Sequence, residues 1–200
     1  NFNINFNPSI NSSGIYSYLV QGSTSCPDDT SFLDITVNTN PNVTFSLPNE
    51  ICSNEADIIL NGTPSGGNYL GNSSNSNIFS PSNIGLNSIT YFYTDTNNCT
   101  DTITQNIIVY DAPNVIATST NTSCYGDNDG QINLNITGGT PPITENWGGI
   151  NTQSLYAGAY TYTVTDSNTC FVSDTVNVYE PPGFSTNIIK EDVICNGDSN

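Results

Sequence analysis

The 200 residues include a single Lys or Arg, no His and no Met, against eighteen Asp or Glu, for a formal charge of −17. Nucleic acid is thereby excluded as a partner, because phosphate binding needs Lys and Arg to displace counterions and Lys190 alone carries such a charge. Anionic membranes are disfavoured for the same reason. No apolar run approaches the roughly eighteen residues that span a bilayer, and no charged-then-apolar leader opens the chain. Lacking an initiator Met, it reads as an interior or processed piece. Without His, neither a Ser-His-Asp nor a Cys-His arrangement can be built, and nothing places two carboxylates in one cleft, so an enzyme is not expected.

What the chain does hold is Asn, Ser, Thr and Gly, with 32 Asn alone. Such polarity without charge could belong to a disordered chain, but aromatic and β-branched residues recur in alternating runs, the mark of half-buried strands. The six cysteines form no CxxC pair, and with no His beside them they fit disulfides in an oxidising compartment better than zinc.

Laid against itself, the chain repeats. Gly14 to Val20, Asn87 to Tyr93 and Gly158 to Val164 each lead to a cysteine, with Tyr18, Tyr91 and Tyr162 all eight residues before it. Cys26, Cys99 and Cys170 are 73 and 71 residues apart, and a second column, Cys52, Cys124 and Cys195, follows at 72 and 71. Strand-like runs end before prolines, Val37 before Pro41, Tyr110 before Pro113 and Tyr179 before Pro181 and Pro182, and proline cannot donate to a ladder. The expected organisation is the C-terminal part of an Ig-like domain over 1–40, a complete Ig-like domain over 41–112, a second repeat over 113–182, and the start of another over 183–200. Short alternating strands such as Ile132, Leu134 and Ile136, punctuated by Asp129-Gly130 and Gly138-Gly139, predict an all-β fold: tandem immunoglobulin-like β-sandwich domains of about 70 residues, end to end. So small a domain has limited core and needs a covalent staple.

Two regular disulfide pairings exist. Within repeats, Cys52 joins Cys99 and Cys124 joins Cys170, leaving Cys26 and Cys195 to partners outside this stretch. Across junctions, Cys26 joins Cys52, Cys99 joins Cys124 and Cys170 joins Cys195. The first is favoured, because loops flanking a junction between end-to-end domains lie more than a strand length apart, about 26 Å for eight residues, whereas a bridge needs Cα atoms within about 7 Å. Trp147 lies between Cys124 and Cys170 and Tyr69 holds the matching place, and both are expected as core fillers. Asp127-Asn128-Asp129-Gly130 places oxygen ligands at alternating positions before a turn, which makes Asp127 and Asp129 candidate Ca²⁺ ligands, although an ordinary Asp-Gly turn accounts for the same residues. No cofactor is required.

Cys124-Tyr125-Gly126-Asp127-Asn128-Asp129-Gly130, then Ile136-Thr137-Gly138-Gly139-Thr140-Pro141-Pro142, then Gly158 to Asp166, strongly resembles the SprB repeat of very large surface adhesins in gliding Bacteroidetes. Cys195-Asn196-Gly197-Asp198 looks like the start of another copy, while 41–112 is similar to the Ig-like or PKD-like modules that accompany such repeats. The stretch Ile143-Thr144-Glu145-Asn146-Trp147 departs from the family's aromatic-rich pattern after Pro-Pro, so loop contacts are not carried over. The resemblance implies type IX secretion, a place on the bacterial cell surface, no catalysis, and filaments for attachment and gliding motility. It implies as partners the secretion and gliding machinery, other copies of the filament, and surface polysaccharide or other cells through regions beyond this stretch. Asp101-Thr102-Ile103 and Asp174-Thr175-Val176 resemble the Asp-Thr-apolar site of Bacteroidetes O-glycans, making Thr102 and Thr175 candidate modification sites. The expected function is a stalk region holding an adhesive tip away from the envelope. The competing expectation is a calcium-dependent carbohydrate-binding, lectin-like module built on Trp147, the tyrosines and the Asp127 loop.

Overall fold

A computed structural model describes residues 12–71 and 77–189. Cys195 and Lys190 lie outside the described residues. Those described form strands and turns without a helix, in several small sheets that do not close into a barrel, consistent with Ig-like β-sandwiches. Two compact units emerge: Asn1–Asn49 with Ala56–Ile108, and Glu50–Glu55 with Val109–Asn200.

In the first unit, β1 (Gly14–Val20) and β2 (Asp29–Ile35) make a hairpin with Tyr16 opposite Leu33. The rest is built on the long strands β7 (Gly85–Thr94) and β8 (Thr100–Tyr110), which share a sheet with β5 (Asn68–Leu70), while the short strands β4 (Ile58–Ile59) and β6 (Ile78–Phe79) pair with each other. Alternation along β7 buries Asn87, Ile89 and Tyr91 and turns Leu86 and Ser88 out, the period of 2 that a one-sided sheet imposes. On the outward face, Thr90 shares a hydrogen bond with Thr104 and Thr94 with Thr100, both at 2.8 Å, cross-strand pairs that tie the hairpin without apolar area.

The core of this unit is aromatic. Phe45, Tyr69 and Tyr91 are buried with ring centroids 5.5 Å (Phe45–Tyr69), 6.4 Å (Phe45–Tyr91) and 4.8 Å (Tyr69–Tyr91) apart, beside the buried Leu60, Phe79 and Ile89. A tyrosine there must satisfy its hydroxyl. Tyr91 does so by donating to the Pro64 carbonyl and accepting from Gly67 N–H at 3.0 Å. Gly62 and Gly67 are required for this approach, since a Cβ at either would stand 2.5 Å from Tyr91.

In the second unit, β9 (Pro113–Thr120) pairs antiparallel with β10 (Gln131–Gly138), and β11 (Thr144–Asn146), β12 (Gly158–Thr165) and β13 (Phe171–Val178) form a three-stranded sheet in that order. Gly130 and Leu155 exchange backbone hydrogen bonds at 3.0 Å in both directions, and Thr122 N–H reaches Tyr179 C=O at 3.0 Å. Ile132, Leu155 and Val178 form a buried cluster with Leu134, Trp147, Tyr160 and Val176 packed against it, and Tyr162, Val164 and Cys170 are buried in the same unit. Trp147 lies 5.3 Å from the ring of Tyr162 and Tyr69 is buried, the core roles expected of both.

One boundary differs from expectation. The segment Glu50–Glu55 sits in the sequence repeat 41–112 but belongs to the second compact unit, and the division falls at Ile108/Val109 rather than after 112. The physical reason is β3 (Glu50–Cys52): its end follows the last residues of β8 into the second unit, where Ser53 N–H donates to Tyr110 C=O at 2.8 Å and Ala112 N–H donates to Ser53 Oγ at 3.0 Å.

Replacing Tyr91 with Phe strands the Gly67 amide and the Pro64 carbonyl, at a cost of about 1–3 kcal/mol. Calorimetric melting of Y91F should show the first unit's transition moved down, with the second unit's unchanged.

Candidate functional site

The densest conjunction of sequence signals in the structure is the β12–β13 hairpin and the segment that docks on it. Asp166 N–H donates to Cys170 C=O at 3.0 Å, closing the turn, while Asp166 Oδ1 accepts Asn168 N–H and Cys170 N–H, both at 2.9 Å. Thr169 takes a left-handed φ of 66°, an unusual value for a β-branched residue that these bonds hold in place. The second oxygen of Asp166 accepts Thr140 N–H at 2.9 Å, and Asn168 Nδ2 donates to Thr140 Oγ1 at 2.8 Å, so the turn is fastened to the Gly139-Thr140 stretch. Asp166 is buried, and all this bonding compensates its removal from water.

The turn places Cys170, itself fully buried, against Cys52, and the two are joined in a disulfide with Cα atoms 5.6 Å apart. This corrects the expected pairing of Cys52 with Cys99 and of Cys124 with Cys170, and it is not the cross-junction alternative either. Because Glu50–Glu55 packs in the second unit, Cys52 is delivered to that unit's hairpin rather than to Cys99 in its own repeat. Other contacts fix the same segment: Asn54 Nδ2 donates to Phe171 C=O at 2.9 Å, and Tyr110 Oη donates to Glu50 Oε2 at 3.2 Å, where the carboxylate pushes the Tyr110 hydroxyl above its ordinary range. Cys26, Cys99 and Cys124 are free thiols, Cys26 and Cys124 exposed and Cys99 half-buried.

The Asp127 loop serves itself. Asp129 Oδ1 accepts Ser123 N–H at 2.9 Å and Asp127 Oδ2 accepts the Ser123 hydroxyl at 3.4 Å. Among the described residues no group of three or more His, Cys, Asp or Glu is placed to hold a metal. In the structure both carboxylates of the turn are engaged with Ser123. The Ser123 hydroxyl and amide hold the Asp129 carboxyl below the usual carboxylate range. Thr102 and Thr175 are both exposed on outward strand faces, Thr175 Oγ1 sharing a hydrogen bond with Thr161 Oγ1 at 3.1 Å.

With the Asp127 loop, the β9–β10 ribbon and Trp147 in place, comparison with known families is decisive for this region. Residues 116–152 match the SprB repeat. The match starts in β9 and ends in the loop after Trp147, so the hairpin carrying Cys170 lies beyond it. SprB repeats are adhesin-type structural repeats, typical of cell-surface or secreted proteins. No curated protein matches the chain.

Sequence reasoning gave no role to Asp95 or to Asp166. The signal was present, as Asp95-Thr96-Asn97-Asn98-Cys99 and Asp166-Ser167-Asn168-Thr169-Cys170 place an aspartate four residues before each hairpin cysteine.

Two outcomes follow from this geometry. The Cys52→Ala/Cys170→Ala double variant should lose roughly 2–5 kcal/mol from the second unit, read as an earlier urea midpoint in Trp147 fluorescence. Because the folded Asp129 carboxyl titrates below its unfolded value, its contribution is present above the unfolded pKa and is lost as pH falls through the folded one. Protection of the Ser123 amide against hydrogen exchange should therefore hold from neutral pH down to about pH 4 and fall below it, and D129N should abolish that dependence.

Proposed function

We propose that this chain is part of the repetitive stalk of a secreted, surface-displayed adhesin used in attachment and gliding, exported by the type IX route. The observation that carries the reading is the SprB-repeat match over 116–152 inside a chain whose cysteines and tyrosines recur at 71 to 73 residues. A polymer of small β units suits a spacer, whose task is to resist extension and proteolysis rather than to bind. The outward Thr pairs and the Cys52–Cys170 cystine support that role. Contacts with polysaccharide, other cells, the gliding machinery or neighbouring filaments are assigned to regions beyond this stretch. Thr102 and Thr175, exposed on strand faces, are where O-glycans would decorate it.

The lectin-like alternative has less support. Trp147 is half-buried, packs on Tyr162 and donates its indole N–H to Glu145 at 3.1 Å, so its ring is already engaged within the unit.

Immunogold labelling of intact cells with antibodies to this chain should place particles outside and away from the outer membrane; labelling that appears only after permeabilisation contradicts the proposal. On a glycan array with and without Ca²⁺, the purified chain should bind nothing, and calcium-dependent binding lost in W147A would favour the lectin reading.

A further inference from the structure

The Cys52–Cys170 bond joins one member of each cysteine column, and the free thiols of Cys99 and Cys124 occupy the two halves of the same arrangement. Cys99 sits in a hairpin turn built as the Cys170 turn is. Asp95 Oδ1 accepts Asn97 N–H at 2.8 Å and Cys99 N–H at 2.9 Å, Asp95 N–H donates to Cys99 C=O at 2.9 Å, and Asn98 has a φ of 62° where Thr169 has 66°. Cys124 opens a turn like the one after Cys52: Cys52 C=O accepts Glu55 N–H at 3.1 Å, and Cys124 C=O accepts Asp127 N–H at 3.2 Å. Cys99 is thus a hairpin cysteine and Cys124 a loop cysteine.

The existing bond also has a direction. It runs from the loop cysteine of the earlier repeat to the hairpin cysteine of the later one, 118 residues on. A bond between Cys99 and Cys124 would run the other way, from an earlier hairpin to a later loop. Cys195-Asn196-Gly197-Asp198 repeats the pattern of Cys124-Tyr125-Gly126-Asp127, so the loop column continues past the second repeat.

We propose that Cys99 and Cys124 are half-staples for adjoining repeats of the same polypeptide: Cys124 bonds the hairpin cysteine of the repeat that follows, and Cys99 bonds the loop cysteine of the repeat that precedes. Each repeat-to-repeat step then carries one cystine of the Cys52–Cys170 kind, and tension along the chain is borne across each step by a covalent bond in parallel with the backbone. Formation of each bond removes two protons and two electrons from a thiol pair, and both electrons reduce a disulfide oxidant, small-molecule or protein-borne, to its dithiol. The proposal rests on the reading of the chain as a segment of a longer exported repeat array.

The test is disulfide mapping of the complete surface protein from cells. Free thiols are alkylated first, and the protein is digested without reduction by a protease that cuts at acidic or aromatic residues. The Cys99 peptide should be joined to a loop cysteine about 118 residues upstream and the Cys124 peptide to a hairpin cysteine about 118 residues downstream, the spacing of Cys52 and Cys170, and neither should take up alkylating agent before reduction. A Cys99–Cys124 crosslink overturns the proposal. Alkylated Cys99 and Cys124 beside an intact Cys52–Cys170 bond also overturn it but leave the exported-stalk reading standing; alkylation of all the cysteines removes both.

Discussion

A repeat of about 70 residues buries too little apolar surface to be robust alone, and the disulfide between Cys52 and Cys170 is the constraint through which this chain meets that limit. The bond is effective because both ends are prepared. Asp166 fixes the hairpin so that Cys170 is buried at its turn, while Ser53, Asn54 and Glu50 hold the other strand end by hydrogen bonds to Ala112, Phe171 and Tyr110. Closing a loop across 118 residues removes a large share of the unfolded chain's freedom, on the order of 5 kcal/mol in the chain-entropy account. The covalent closure complements the second unit's buried residues, Ile132, Leu155, Tyr162, Val164 and Val178 among them.

The first unit holds neither end of that bond and is secured by its aromatic core of Phe45, Tyr69 and Tyr91. Its outward strand positions carry Thr–Thr and Ser–Asn hydrogen-bonded pairs rather than apolar contacts. With one cation in the chain, surface ion pairing has almost no material to work with, and neutral hydrogen bonds take its place. Asp and Asn are spent on backbone amides in turns, at Asp95, Asp129, Asp166 and Asn121.

Much of this was legible in the sequence. Alternation around Tyr91 and Tyr162 located β7 and β12, prolines after Tyr110 and Tyr179 located strand ends, and the spacing of Trp147 and Tyr69 marked them as core. Cystine connectivity was not legible, because two cysteine columns with one period look alike whichever members are joined. What decides is the docking of Glu50–Glu55, a segment of one sequence repeat within the compact unit of the next, and neither composition nor periodicity marks that exchange. In the Asp127 loop, carboxylates at alternating positions suit a cation and a tight turn equally, so the sequence alone does not choose between them; in the structure they hydrogen-bond Ser123.

Cys52 is carried out of its own sequence repeat into the following unit. Peptide mapping of the purified 200-residue chain under non-reducing conditions tests this most directly. The account predicts a Cys52 peptide joined to the Cys170 peptide, with Cys99 and Cys124 bearing free thiols. Recovery of Cys52 bonded to Cys99 would return each staple to its own repeat and contradict the account.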